Sequence, residues 1–120
     1  MAMINIELTR FRVIKGKSEK VDEWMKFLND NMKDVLLTLE GEKMYIETIF
    51  REILDGEEYL YWYSIQGENG IRVEESDYLV DKKHLEYWNE CIDNGYKVDM
   101  SMQVSMIPKH IARLMADDVK

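Results

Sequence analysis

The sequence predicts an α+β fold in a single domain over residues 1–120, with a four-stranded antiparallel sheet, helices on one face and an extra C-terminal helix. Three observations predict it. A helix-period apolar stripe starts near Ser18, two strand-like runs flank the turn dipeptide Asp55-Gly56, and a second helix-period stripe follows Ser76. The expected order is therefore strand, helix, strand, strand, helix, strand and tail helix.

Residues 4–14 predict the first strand, because β-branched and aromatic residues are frequent there and Lys15-Gly16 ends the run. The alternation of apolar and polar residues along this strand is irregular. Either a bulge near Thr9 and Arg10 switches the side chains between faces, or both faces are covered. The sequence leaves both interpretations open.

The first helix is predicted from Ser18 toward Gly41, since apolar residues recur at helical spacing across about six turns. Ser18 is the expected N-cap, and Gly41 suits the left-handed position just past the helix. The expected buried stripe consists of Val21, Trp24, Met25, Leu28, Met32, Val35, Leu36 and Leu39.

Residues 43–54 and 57–66 predict a hairpin around Asp55-Gly56. In its second arm, alternate positions carry Tyr59, Tyr61, Tyr63 and Ile65 on one face and Leu60, Trp62, Ser64 and Gln66 on the other. Neither face is polar enough for bulk water, so this arm is expected to be a central strand covered on both sides.

The second helix is predicted from Ser76 to about Asn94, with Gly95 as its stop signal. Its buried stripe is expected to hold Val80, His84, Tyr87, Trp88 and Cys91. Residues 96–107, in which valine and methionine alternate with polar residues, predict the last strand. Pro108 ends that strand, and a short terminal helix follows.

This order is the split βαβ pattern called ferredoxin-like, βαββαβ, in which the helices cover one face of the sheet. The aromatic third strand makes the other face too apolar for water, so a second copy of the chain is the expected cover. The expected homodimer is a dimeric α/β barrel, whose interior suits a small organic molecule, with an anion among the options.

The composition excludes several partners and functions. The net charge is −8 and the sixteen basic residues are scattered, which argues against nucleic acid. No apolar run approaches the roughly 20 residues of a membrane-spanning helix. The N-terminus shows no secretory signal and Cys91 is the single cysteine, so a cytoplasmic location is expected. Phosphate-loop, HExxH and CxxC motifs are absent, so no cofactor or metal is expected.

Several segments resemble known families. "RFRVIKGKSEKVDEW" looks like the first strand, turn and helix of the dimeric α/β-barrel superfamily, which includes antibiotic-biosynthesis monooxygenases and muconolactone isomerase-like proteins. "ELTRFRV", "EGEKMYIETIFRE", "LYWYSIQG" and "HLEYWNECID" together resemble an uncharacterised bacterial family defined only as a domain of unknown function, over about residues 6–93. Heme-degrading members of the superfamily use a barrel histidine, and no predicted strand here carries one.

Four charged residues are candidates for an anion site. Arg10 and Arg12 are expected to project from one face of the first strand, roughly 7 Å apart, and Glu47 and Arg51 share a face of the second. Guanidinium groups in such a cavity grip carboxylate or phosphate groups in bidentate fashion. The alternative, which we favour, is that these arginines pair with Glu7, Glu47 or Glu52 in a structural network or lie at the dimer rim.

Trp62, Ser64 and Gln66 share a face and are candidates for a ligand wall, although packing alone explains Trp62 equally well. His84 and Cys91 lie about 10 Å apart along one helix and cannot chelate one metal ion. His84 is also a ligand-binding candidate, and the favoured interpretation is that it packs beside Trp88 and forms a hydrogen bond with the sheet.

Two functions are consistent with this pattern. One is a homodimer that binds a small organic molecule in its barrel. The alternative is a cofactor-independent monooxygenase- or isomerase-like enzyme, with Glu47 as base and Arg10 or Arg12 stabilising developing negative charge. The sequence does not decide between them.

Overall fold

The computed structural model describes residues 4–117, and side chains through Met115. The predicted domain of residues 1–120 extends past these limits at both ends. The elements are β1 (Ile4–Val13), α1 (Ser18–Asp30), α2 (Met32–Glu42), β2 (Met44–Leu54), β3 (Glu57–Gly67), α3 (Leu79–Cys91), β4 (Ile92–Asp99) and α4 (Lys109–Asp117). A 3-10 turn at Val73–Glu75 precedes α3.

The four strands form one antiparallel sheet in the order β2-β3-β1-β4, which confirms the predicted α+β class. The pairing of β1 with β4 shifts register between Phe11 and Val13, so the irregularity lies beyond the predicted position near Thr9 and Arg10. The predicted hairpin is also present. Asp55 and Gly56 have φ values of 52° and 78°, the left-handed pair that a two-residue hairpin turn requires.

The single long helix predicted after Ser18 is wrong, because the structure divides it at Asn31. The Asn31 backbone N–H and side-chain amide both donate to the Phe27 carbonyl, at 3.1 and 2.8 Å, and end α1. The Asn31 carbonyl then accepts from the backbone N–H of Asp34 and Val35, both at 3.0 Å, and starts α2. Helix α2 runs past Gly41, and the left-handed residue at its end is Lys43.

The predicted limits of the second helix and last strand are also wrong. The helix is α3, which starts at Leu79 with Tyr78 as its N-cap and not at Ser76, and which ends at Cys91, where β4 starts immediately at Ile92. Gly95 therefore lies inside a strand, where its N–H donates to Asp93 Oδ1 at 2.9 Å. Buried Ile92 pairs with Val13 of β1, which draws the chain into the sheet before the glycine is reached. No strand follows Asp99 within residues 100–107.

The core lies between the sheet and helices α1 and α3. Trp24 of α1 and Leu60 of β3 are fully buried. The Trp24 ring contacts Trp62 and Trp88 with centroids 5.8 and 5.9 Å apart, and stacks on Tyr87 at 6.4 Å. Large aromatic rings bury much apolar area, so this cluster anchors both helices on the sheet. Trp62 therefore faces the helices and does not face a second sheet.

The opposite face of β3 carries the tyrosine row. Tyr59, Tyr61 and Tyr63 pair in register with Arg12, Arg10 and Leu8 of β1. On β2 the same face carries Phe50, which pairs with Tyr61 and is 58% exposed. Part of this face is therefore apolar and in contact with solvent. Among the described residues, no helix has both the length and the hydropathy needed to cross a membrane.

Candidate functional site

A cavity of about 760 Å³ lies between the helix-facing side of β2 and β3 and the helices α1, α2 and α3. Protein ligand pockets usually measure about 300–1,000 Å³, so the cavity is large enough for a small organic molecule. Its rim includes Met32 and Leu36 of α2, which are 41% and 53% exposed. Its apolar wall is formed mainly by Met25, Leu28, Leu39, Ile49, Val80 and Leu85.

Three buried or half-buried carboxyl groups from three different elements line this cavity: Glu42 at the end of α2, Glu47 of β2 and Asp81 in the first turn of α3. The exposed Glu74 of the 3-10 turn is a fourth carboxyl group on the lining. Glu42 and Asp81 are only 8% and 6% exposed. Among the described residues, no lysine or arginine lines the cavity. Buried acids are normally paired with a base, but within the described chain no ion pair is present for Glu42, Glu47 or Asp81.

Glu47 is held by an indole. Its Oε2 accepts a hydrogen bond of 2.7 Å from Nε1 of Trp62, which lies on the adjacent strand. Burial raises the pKa of Glu47 above its usual value, the Trp62 hydrogen bond opposes that rise, and the negative charge of Asp81 adds to it. The carboxyl is therefore oriented by the indole, and its pKa lies above that of a solvated glutamate.

Burial raises the pKa of Glu42 to about 7, with further contributions from the negative charges of Asp81 and Glu47. The backbone carbonyl of Glu42 accepts a hydrogen bond of 2.9 Å from the Gln66 side chain. The same carbonyl lies so close to Gly70 that a Cβ there would collide with it. A glycine is therefore required where the loop after β3 crosses the end of α2.

Asp81 differs from the other two carboxyl groups. Its Oδ2 is buried and has no hydrogen-bond partner within the described part of the chain. An unsatisfied buried polar atom costs roughly 1–3 kcal/mol. Such a group in a ligand-sized cavity is a natural contact for a bound molecule.

His84 of α3 lines the cavity between Trp62 and Asp81. Its Nδ1 accepts a hydrogen bond of 3.0 Å from Nε1 of Trp24, so the expected hydrogen bond to the sheet is replaced by one to α1. Burial lowers the pKa of His84, although the charge of Asp81 opposes this. The imidazole is thus held in its neutral form with Nδ1 unprotonated.

Three sequence-predicted site residues, Glu47, Trp62 and His84, meet at the cavity. Ser64 and Gln66 lie on the same face of β3 but do not line it. Ser64 is buried, and Gln66 supports the Glu42 carbonyl.

The structure does not bring the predicted arginines to this cavity. Arg10 and Arg12 project from the opposite face of the sheet, where Arg10 Nε donates to the Tyr96 hydroxyl at 2.9 Å. Arg12 Nη2 donates to Asp93 Oδ2 at 2.8 Å. Glu47 lies beside Trp62 on the helix-facing side of the sheet, and Arg10 pairs with Tyr61 on the opposite face. The two residues therefore do not form one site.

Arg51 does lie on the helix side of β2, but its guanidinium is occupied by other groups. It donates to the carboxylates of Asp22 on α1 and Glu58 on β3, and to the Ser18 hydroxyl at 2.9 Å. These contacts link β2 to the start of α1. Arg51 therefore pairs with Asp22 and Glu58, whereas the sequence predicted Glu7, Glu47 or Glu52 as its partner.

Sequence reasoning missed Glu42 and Asp81. A signal for both exists in the helical spacing. Asp81 lies three and four positions before His84 and Leu85, and Glu42 lies four positions after buried Thr38, so each acid shares a helix face with inward-facing residues. Within residues 4–117, no three His, Cys, Asp or Glu side chains are grouped so as to hold a metal ion.

The fold and the site define a small α+β protein with a ligand-sized cavity walled by apolar, aromatic and carboxyl side chains. A family model described as "Family of unknown function (DUF6176)" matches residues 4–113. The chain belongs to this family, which confirms the expectation of an uncharacterised family. No curated protein matches the sequence.

Proposed function

We propose that this protein binds a small organic molecule in the cavity between its helices and its sheet. The observation that carries the proposal is the cavity itself, about 760 Å³ with an apolar wall and a few convergent polar groups. Ligand sites in proteins have this composition, in which the apolar wall contributes affinity and the polar groups set orientation.

The test is a fragment library screened by NMR, with the indole N–H signals of Trp62 and Trp88 as reporters, because both rings line the cavity. Val35→Phe, which adds bulk from α2 into the cavity, is expected to abolish the shifts. Leu37→Phe is the matched control, since Leu37 is on the same helix but outside the cavity lining. Binders that shift no indole signal, or that bind Val35→Phe equally well, would refute a site at this position.

We also infer that the sheet order, with the helices on one face, makes the fold ferredoxin-like, and that the opposite face joins two copies in a homodimeric α/β barrel. The support is the solvent contact of Phe50, Ile46 and Leu8, which are 58%, 40% and 36% exposed on that face. Glu52 and Arg12 flank Tyr59 in register, so the face carries both charge signs. A two-fold contact needs such self-complementarity.

Light scattering tests the dimer. At micromolar concentration we expect twice the chain mass of 14.4 kDa, and Phe50→Asp should reduce it to that of one chain. Ile53→Asp is the control, because Ile53 is also exposed on β2 but three positions away and so on the other face. A wild-type mass of one chain would refute the homodimer, and the cavity proposal would be unaffected.

A second candidate function is favoured by one observation. The raised pKa of Glu47 beside a cavity suits a base in a cofactor-independent monooxygenase- or isomerase-like reaction. Arg10 and Arg12 lie on the opposite face, so they do not support the partner role. NMR time courses of bound compounds with wild type and Glu47→Gln test this candidate. Conversion by wild type alone supports it, and unchanged compounds argue for binding only.

A further inference from the structure

We infer that the molecule bound in this cavity carries a protonated amine joined to an apolar body, and that Glu47 and Asp81 bind the amine. This inference rests on the proposed small-molecule function and specifies its ligand class. Three properties of the cavity support it: the charge of its lining, an unsatisfied carboxylate oxygen and two tryptophan rings.

The charge of the cavity lining favours a cation. Glu42, Glu47, Glu74 and Asp81 all line the cavity. Glu74 is paired with Arg72 at 3.5 Å, whereas no ion pair is present for Glu42, Glu47 or Asp81 within the described residues. Among the residues that the structure describes, the other ionisable group on the wall is His84, whose Nδ1 accepts a hydrogen bond from Trp24. An anionic ligand would add to the negative charge that already raises the pKa of Glu42 and Glu47, whereas a cation bound beside these carboxyl groups would favour their ionised forms.

The unsatisfied atom gives the amine a specific position. Asp81 is 6% exposed, lines the cavity, and its Oδ2 has no hydrogen-bond partner in residues 4–115. A buried oxygen of this kind accepts a hydrogen bond from a ligand donor, and a charged donor forms a stronger bond than a neutral one. Asp81 raises the pKa of both Glu42 and Glu47 through its charge, so the three carboxyl groups interact across the same space.

The aromatic wall is the third argument. Trp62 and Trp88 both line the cavity, with ring centroids 5.1 Å apart and planes at 70°. Tryptophan binds cations on its ring face more strongly than other aromatic residues. The Trp62 indole N–H is already used by Glu47, so the ring is fixed in place beside the carboxyl that would bind the amine. The apolar wall then accommodates the hydrocarbon part of the ligand.

The experiment compares three molecules of equal length on the wild-type chain: hexylamine, hexanol and hexanoate. Binding is followed through the Trp62 and Trp88 indole signals at neutral pH. We expect hexylamine to bind about tenfold more tightly than hexanol, because it adds a charge-assisted hydrogen bond, and hexanoate to bind most weakly. Equal or tighter binding of hexanol or hexanoate would overturn the inference, and the cavity function would stand.

Two variants assign the contact. Glu47→Gln and Asp81→Asn keep side-chain size and are each expected to weaken hexylamine about tenfold while changing hexanol affinity less than about twofold. Glu52→Gln, on the opposite face of β2, and Asp77→Asn, exposed before α3, are the matched controls. Loss of affinity for amine and alcohol alike would show a structural role for the carboxyls and overturn the inference. If none of the three molecules binds, the inference fails, and the library screen then decides separately on the proposed function.

Discussion

Trp62 Nε1 and Glu47 Oε2 are joined by a hydrogen bond of 2.7 Å between neighbouring strands β3 and β2. The two residues are not direct partners in the register, since Trp62 pairs with Ile49 and Glu47 with Ser64. The indole therefore reaches diagonally across the helix-facing side of the sheet, within the range of long side chains. This contact places an aromatic ring and a carboxyl side by side on the cavity wall.

Removing the indole donor should change Glu47 specifically. Trp62→Phe keeps an aromatic ring but deletes the hydrogen bond, so we expect a further rise in the pKa of Glu47 and a loss of roughly 1–3 kcal/mol in the free energy of unfolding. Carboxyl carbon NMR titration and urea denaturation measure the two effects. Tyr61→Phe, one residue away on the opposite face, is the control. An unchanged Glu47 titration would contradict the hydrogen bond.

Glu42 should make stability depend on pH. Its pKa is about 7 in the folded chain against 4.5 as the ordinary value, so the folded state holds a proton that the unfolded state has lost. The free energy of unfolding therefore falls as pH rises from about 5 to 8, by at most about 3 kcal/mol from this group. Glu42→Gln should remove this part of the slope.

The difference between wild type and Glu42→Gln isolates that effect from other groups. The lowered pKa of His84 acts in the opposite direction, since its contribution is lost as pH falls below its ordinary value of 6.5. Glu40→Gln is the matched control on α2, because Glu40 is exposed. Urea denaturation at several pH values measures the difference. If the free energy of unfolding changes with pH equally in wild type and Glu42→Gln, the pKa of Glu42 is not raised in the folded chain.

His84→Phe should destabilise the aromatic cluster. The substitution deletes the acceptor for the Trp24 indole N–H, and Trp24 is fully buried, so its donor is left unsatisfied. We expect a loss of roughly 1–3 kcal/mol in the free energy of unfolding. His110→Phe on α4 is the control, since His110 is exposed, and its stability should stay within about 0.5 kcal/mol of wild type. Equal stability of both variants would show that Trp24 does not depend on His84.

Gly70→Ala should disturb the loop that crosses the end of α2. A Cβ at this position collides with the Glu42 backbone carbonyl, so either the loop or the helix end must move. We expect a loss of about 1–3 kcal/mol, measured by thermal or urea unfolding. Gly95→Ala is the control, because the nearest atom to a Cβ there is Asp93 Oδ1 at 3.4 Å. An unchanged free energy of unfolding for Gly70→Ala would mean that the Glu42 carbonyl leaves room for a Cβ at position 70.

Local sequence patterns predicted the elements whose geometry depends on neighbouring residues alone. Helical spacing predicted where α1 starts, although the N-cap is Lys17 and the prediction of Ser18 as the N-cap is wrong. The hairpin follows from Asp55-Gly56, whose left-handed backbone few other residue pairs adopt. The break at Asn31 and the early start of β4 did not follow. Asn31 ends one helix and begins the next through its own amide and carbonyl, and β4 begins at Ile92 because that residue pairs with Val13.

By itself the sequence determined the α+β class, the central position of the aromatic strand and the candidacy of Glu47, Trp62 and His84. Only the tertiary structure decided which face each strand presents to the helices, since alternation defines two faces without saying which one is covered. That choice places Glu47 with Trp62 at the cavity and Arg10 on the far side of the sheet. It also brings in Glu42 and Asp81, because helices distant in sequence meet only after packing.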